Sequence, residues 1–156
     1  PIYVLGEHAD RKQPVSYHAK AIKEMLGRFG LNVADLNCFV AGSDVFIQRG
    51  AKNAETIADQ YAEFGIYFSE ANTDRINGAA QILKLLGDAE RNIEPRLYIS
   101  ANCVRLIECL PMLEHDPKRP EDVKKIDTDE NGNGGDDPYD DLRYGVMINN
   151  SKGAFL

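Results

Sequence analysis

From Gly65 to Ser100 the chain reads GIYFSEANTDRINGAAQILKLLGDAERNIEPRLYIS, and this stretch decides the fold class. Ile66-Tyr67-Phe68 is a short run of β-forming residues entered through Gly65. From Thr73 onward, Ile76, Ala79, Ala80, Leu83 and Leu86 recur in steps of three and four, the spacing of one helix face. Arg96-Leu97-Tyr98-Ile99 is again β-forming. Ser100 then offers a cap to a helix reaching Leu110, with Val104, Ile107 and Leu110 predicted to face inward. A strand, a long helix and a second strand make a βαβ unit, and such units pair their strands in parallel.

The alternation extends in both directions. Upstream, Ile2-Tyr3-Val4-Leu5 reads as a buried strand closed by Gly6, and Ser16 as the cap of a helix carrying Ile22, Met25, Leu26 and Phe29 up to Gly30. Cys38-Phe39-Val40-Ala41 is a second strand, ending at Gly42-Ser43-Asp44, and a helix follows from Ala54 to Phe64. Downstream the pattern breaks after Pro111. Residues 113–137 are rich in proline, glycine and charge and have no periodicity, so they read as an acidic loop, with one helical turn at Pro120-Glu-Asp-Val-Lys124. Pro138 then starts a terminal helix on Tyr139, Leu142, Tyr144 and Val146. The expectation is an α/β domain over residues 1–150 with a largely parallel twisted sheet, and a frayed tail after Asn149, including 151–156.

A chain of 156 residues suits one domain. No apolar run approaches the roughly 20 residues of a membrane span, and the opening PIYVLGEHAD lacks the basic start of a secretion signal. Opening at Pro1 on a core strand, the chain reads as part of a longer polypeptide. Cys38, Cys103 and Cys109 show no CxxC spacing and read as free thiols packed in a core, which suits a cytosolic compartment. The net charge of −7 is unevenly spread. Residues 121–141 carry nine acids against Lys124 and Lys125, which leaves sixteen acids and sixteen bases elsewhere. That segment is therefore no phosphate-binding surface.

Three features could carry chemistry. Asp44 follows a strand end, where open α/β sheets gather ligands, although a turn residue or helix cap is equally an Asp role. Asp136 and Asp140 are four apart at the start of the last helix and project to one side. Neighbouring carboxylates repel unless a cation lies between them or water screens them, and Mg2+ and Mn2+ favour such hard oxygen donors. The third is Asp127-Thr-Asp129-Glu-Asn131-Gly132, which matches the opening of a calcium loop, but its twelfth position is Pro138, which has no side-chain oxygen. No phosphate loop, HExxH or GxSxG motif is present, and His8, His18 and His115 stand apart in sequence. Glu7 is a further acid at a strand end.

From Ile2 to Met147 an ordered set of pieces stands out. It runs YVLGE ending at Glu7, His18-Ala-Lys-Ala-Ile22, Gly42-Ser-Asp44, Phe64-Gly-Ile66 and Ala71-Asn-Thr-Asp-Arg75-Ile-Asn-Gly78. Leu83 and Leu86, Arg96-Leu-Tyr-Ile99, Cys103, Leu106-Ile107 with Leu110, Arg119-Pro-Glu-Asp122 and Asp136-Asp-Pro-Tyr-Asp140-Asp-Leu-Arg-Tyr144 complete it. Together these resemble the C-terminal nuclease domain of bacteriophage terminase large subunits, a ribonuclease H-like mixed sheet flanked by helices. The family's closing motif reads Asp-His-x-x-Asp-Ala-Leu-Arg-Tyr, which aligns Asp140 with the catalytic acid; Asp137 replaces the His and Asp141 the Ala.

The resemblance implies a Mg2+- or Mn2+-dependent endonuclease that cuts concatemeric double-stranded viral DNA in the cytoplasm of an infected bacterium. Asp44 and Asp140 would be catalytic and would hold a two-metal site, with Asp136 and Asp141 as further ligands and Asp141 the alternative to Asp140. Arg49, Lys52, Arg75 and Arg143 are the candidates for DNA contact, Arg143 alternatively buttressing the acids. An ATPase domain of the same polypeptide, the terminase small subunit and the portal of the procapsid are the implied partners, with no membrane. The family's sheet opens with another acid-bearing strand and a second strand, both absent here, so this chain is expected to be inactive alone. The competing expectation is a non-catalytic α/β interaction module with a calcium-binding acidic loop.

Overall fold

A computed structural model describes residues 1–148, so the predicted fraying from Asn149 to Leu156 lies outside the described residues. The regular elements are β1 (Ile2–Val4), α1 (Val15–Arg28), β2 (Phe39–Ala41), α2 (Ile57–Ala62), β3 (Phe68–Glu70), α3 (Arg75–Leu86), β4 (Leu97–Ile99), α4 (Val104–Cys109) and α5 (Asp137–Ile148). The α/β alternation is as read from the sequence. The strands, however, form two separate two-stranded sheets among the described residues instead of one mixed sheet. Both are parallel: Tyr3 lies opposite Tyr98 in β1–β4, and Val40 opposite Ser69 in β2–β3. No described helix is long and apolar enough to cross a membrane.

The chain divides into two compact units. Unit one takes Pro1–Glu7 and the described residues from Asn72 onward, and thus β1, α3, β4, α4 and α5. Its core joins Ile82, Leu97, Cys103, Leu106, Cys109, Tyr139, Leu142 and Val146, with Ile2, Val4 and Ile99 packed against it from the sheet. Burying aliphatic and aromatic side chains of this kind stabilises by roughly 1.5–3 kcal/mol each.

The inward faces of two helices differ from those expected. On α3 the buried residues are Gly78, Ala79 and Ile82, while Ile76, Leu83 and Leu86 are exposed. On α4 Leu106 and Cys109 are buried, whereas Val104 and Ile107 are exposed. Both helices carry apolar residues around much of their circumference, so period alone left the phase open. On α3 the small residues face α5, and a Cβ at Gly78 would come 2.6 Å from Arg143 Cδ. The α4 phase follows Glu7, whose carboxylate accepts the N–H groups of Arg105 (2.7 Å) and Leu106 (3.1 Å), and Cys103, which is fully buried. Two carboxylate oxygens there satisfy donors that a helix start leaves unpaired. Glu7 is thus a helix cap.

The stretch 113–136 contains no regular helix or strand, and α5 begins at Asp137, the last residue of the expected loop. Pro120–Lys124 is a turn, not helical: Asp122 N–H donates to the Arg119 carbonyl (2.8 Å), and Lys124 N–H to Glu114 (2.8 Å). Isolated antiparallel bridges join His115 to Val123 and Thr128 to Gly134.

Unit two holds α1, β2, α2 and β3, so β2–α2–β3 is a parallel crossover. Its buried residues include Ala19, Leu26, Ile66 and Ala71. Phe39 and Phe68, opposite one another in the ladder, meet edge to face at 6.0 Å. The caps lie elsewhere than the sequence suggested. Pro14 starts α1, its carbonyl accepting Tyr17 N–H (3.0 Å), and Ser16 falls inside the helix. Thr56 caps α2 in a reciprocal box with Asp59. All three cysteines are free. Cys103 and Cys109 are buried, but Cys38 is exposed and packs in no core.

Candidate functional site

The cluster that organises unit one begins with the residues Asn72 to Gly78. The Asn72 side chain accepts Asp74 N–H (3.0 Å), shaping the turn into α3. Asp74 caps α3 by accepting Asn77 N–H (3.0 Å). This sets Arg75 at the first helical position, from which it reaches out of the helix. Its Nε donates to both oxygens of Asp122 (3.1 and 3.0 Å), Nη2 to the Val123 carbonyl (2.9 Å) and Nη1 to Asp140 Oδ1 (3.4 Å). Charge-assisted pairs of this geometry are among the stronger hydrogen bonds.

Asp140 lies in the first turn of α5, where a helix favours negative charge. Its Oδ1 accepts Arg143 Nη2 (2.9 Å), and its Oδ2 accepts Lys125 Nζ (2.7 Å). Arg143 is 2% exposed, and its Nη1 donates to the Thr73 carbonyl (2.9 Å). Burial alone would raise the Asp140 carboxyl. The hydrogen bonds and charges of Lys125 and Arg143 outweigh it and hold this group below the ordinary carboxylate range. The same partnership raises the Lys125 ammonium against the lowering effect of its own burial.

Asp136 immediately precedes α5 and is 1% exposed. Neither of its carboxylate oxygens has a hydrogen-bond partner, although Lys125 Nζ stands 3.4 Å from Oδ1 as an ion pair. The contact is electrostatic, too long to count as a good charged hydrogen bond. One ammonium therefore bridges two carboxylates, and its side chain is 57% exposed. Asp122, Asp136 and Asp140 are balanced in number by Arg75, Lys125 and Arg143. Among the described residues, no group of three or more His, Cys, Asp or Glu is arranged to hold a metal ion. Asp136 and Asp140 are the two acids that share a cation.

The other predicted residues fall as follows. Asp141, one position past Asp140, is exposed, so of that pair it is Asp140 that enters the cluster. Asp44 belongs to unit two and is exposed, in the first turn of a 3-10 helix over Ser43–Phe46. Arg49 and Lys52 are also exposed in unit two. Arg75 and Arg143 are committed to carboxylates, and the burial of Arg143 takes it away from any phosphate track. In the acidic loop, Asp129 Oδ1 accepts the N–H groups of Asn131 (2.9 Å) and Asn133 (2.8 Å), so this carboxylate closes its own turn. His8 and His18, distant in sequence, meet in unit two with Nε2 and Nδ1 3.0 Å apart.

Lys125 was missed as a site residue. It sits in an irregular loop, and nothing in its local sequence sets it apart from Lys124. Asp122 was legible only as one of many acids and through the resemblance. No protein-family model matches this chain, and no curated protein or solved structure is detectably similar to it.

Proposed function

We propose that this chain is the nuclease part of a phage terminase large subunit, with Asp140 and Asp136 contributing to a site for Mg2+ or Mn2+. One observation carries the reading. Arg75 and Gly78, Asp122, and Asp140 with Arg143 come from three separate pieces of the resemblance, and they converge in a single network. Under this reading the finer architecture is ribonuclease H-like, the substrate is double-stranded DNA, and the setting is the bacterial cytoplasm. The ATPase domain, the small subunit and the portal are the partners.

The donor set suits the ion. Asp136 keeps two buried oxygens free of hydrogen bonds, and Asp140 Oδ2 faces the same ammonium. Mg2+ is commonly held by one or two carboxylates, with water and substrate phosphate completing the shell. An ion bound there would activate water and stabilise the departing oxygen of a phosphodiester. The protein's own work is positional. Arg143 and Arg75 fix the orientation of Asp140, and Asp122 fixes Arg75. Lys125, on its exposed stem, can leave the two carboxylates and neutralise a phosphate.

The even balance of three acids and three bases favours a second reading, in which the network is purely structural and the chain is a non-catalytic module. Manganese binding followed by electron paramagnetic resonance separates the two. The nuclease reading expects Mn2+ binding that is lost in Asp140→Asn and Asp136→Asn, unaffected by Asp129→Asn, and tightened in Lys125→Met. Folded variants that all bind Mn2+ as the parent does, or a parent that binds none, would leave the structural reading standing. Calcium bound in the parent and lost in Asp129→Asn alone would favour the acidic-loop module.

A further inference from the structure

Residues 8–18, HADRKQPVSYH, begin and end in histidine, and unit two folds the two rings together. The chain bends at Arg11 and Lys12. Pro14 then starts α1, its carbonyl accepting the N–H groups of Tyr17 (3.0 Å) and His18 (3.4 Å). The Tyr17 hydroxyl donates back to Asp10 Oδ2 (2.8 Å), while Asp10 Oδ1 accepts Arg11 N–H (2.8 Å). These contacts tie the bend to the first turn of α1. His8 is held against that turn, its ring centroid 5.9 Å from that of Tyr17 and 5.2 Å from that of His18. Nε2 of His8 lies 3.0 Å from Nδ1 of His18, and both residues keep part of their surface in solvent.

Only one proton fits between two imidazole nitrogens at this distance, so one of them already presents a lone pair to the other. Moving that proton to the outer nitrogen of its ring leaves two inner lone pairs for an ion. Two nitrogens bound to one ion at about 2.0–2.1 Å lie roughly 2.9–3.4 Å apart, for bond angles from a right angle to tetrahedral. The observed separation is within that span, so a small rotation of the rings suffices and the backbone need not move. Imidazole suits borderline transition ions such as Zn2+, whereas Mg2+ and Ca2+ prefer oxygen. A carboxylate stands beside the pair. The Tyr17 hydroxyl and the Arg11 N–H hold the Asp10 carboxyl below its ordinary value, and the charges of His18 and His8 lower it further. Asp10 thus favours a cation at the rings. Among the described residues no group of three or more His, Cys, Asp or Glu is arranged to hold an ion, so water completes the shell.

We propose that His8 and His18 form a two-nitrogen site for Zn2+ or a similar borderline divalent ion, which fastens the segment from His8 to Pro14 onto α1. The site lies in unit two and takes a different class of ion from Asp136 and Asp140, so it stands or falls apart from the nuclease reading.

The test is titration of the full chain with Zn2+, read from the imidazole nitrogen signals in long-range proton–nitrogen spectra. Zn2+ is expected to move the Nε2 signal of His8 and the Nδ1 signal of His18 together and saturably. Mg2+ at the same concentrations should move neither. His8→Ala should weaken the response of His18 at least about tenfold, and His18→Ala that of His8, since a ligand is worth no less than the ~10–100-fold of an outer-shell partner. Alanine at position 18 keeps a good helix former in α1, and unchanged dispersion of the amide spectrum shows that both variants fold. Asp140→Asn and Cys38→Ser should respond as the parent does, which sets the site apart from the carboxylates of unit one and from the exposed thiol. Zn2+ that moves neither ring, that moves one ring as strongly when the other is replaced, that is matched by Mg2+, or whose effect is lost in Asp140→Asn or Cys38→Ser would each overturn the proposal.

Discussion

Asp140 receives charge from three residues of different origin, and the consequence is a pH dependence with a definite sign. Its folded carboxyl titrates below the ordinary value, which for an unfolded Asp is about 3.9. The folded state therefore binds fewer protons than the unfolded one in that range. The stabilisation is fully present above about pH 4 and is lost as pH falls through the folded value. In acid unfolding followed by circular dichroism, Asp140→Asn is expected to remove this component and flatten the profile below pH ~4. Arg143 is the more sensitive residue. It is buried against Asp140 and the Thr73 carbonyl, so Arg143→Met breaks a buried pair from one side. The expected loss is about 3–5 kcal/mol, measured by urea denaturation.

At the scale of elements, the contact between α3 and α5 depends on one missing side chain. Gly78 lies where a Cβ would meet both Cγ and Cδ of Arg143, and Arg143 has no room to swing away because it is buried. Gly78→Ala gains helix propensity, worth about 1 kcal/mol, but overpacks a filled site at about 1–3 kcal/mol. The net expectation is destabilisation, seen as a lower denaturation midpoint with an unchanged slope. On the opposite side of the contact, Leu142→Ala in the same core should cost about 2–5 kcal/mol. Gly87, which ends α3 at φ +76°, is required twice over: a Cβ there would come 2.5 Å from the Ile93 carbonyl oxygen.

For the whole molecule, the relevant property is the distribution of charge. The chain carries −7, and the acidic residues of 121–141 share unit one with α5. Among its described residues unit one carries seventeen acids against ten Lys and Arg, and Arg75 and Arg143 are held in ion pairs, so its charge opposes binding driven by counterion release from DNA. This chain alone is therefore expected to bind generic double-stranded DNA no more tightly than about 100 µM at physiological salt, with fluorescence anisotropy as the measurement. A tight, salt-steep isotherm would show that Arg49, Lys52 or other exposed bases form a track that the charge count conceals.

What the sequence determined by itself was the class of the fold and the order of its elements. The reason is local: alternating β-forming runs and helical periodicity are properties of neighbouring residues. Parallel pairing follows from the crossover in β2–α2–β3, but the strands on either side of α3, β3 and β4, lie in different sheets. It also placed Asp136 and Asp140 on one side of a helix start, because four residues make about one turn. The tertiary structure decided the rest. Which face of α3 and α4 is buried depended on where Gly78 admits Arg143 and where Glu7 caps α4, contacts between residues 65 and 98 positions apart. That Lys125, from a loop with no pattern, became the cation between two carboxylates was equally beyond local reading. Long-range electrostatic pairing leaves no period in a sequence, and only the folded chain brings its partners within reach.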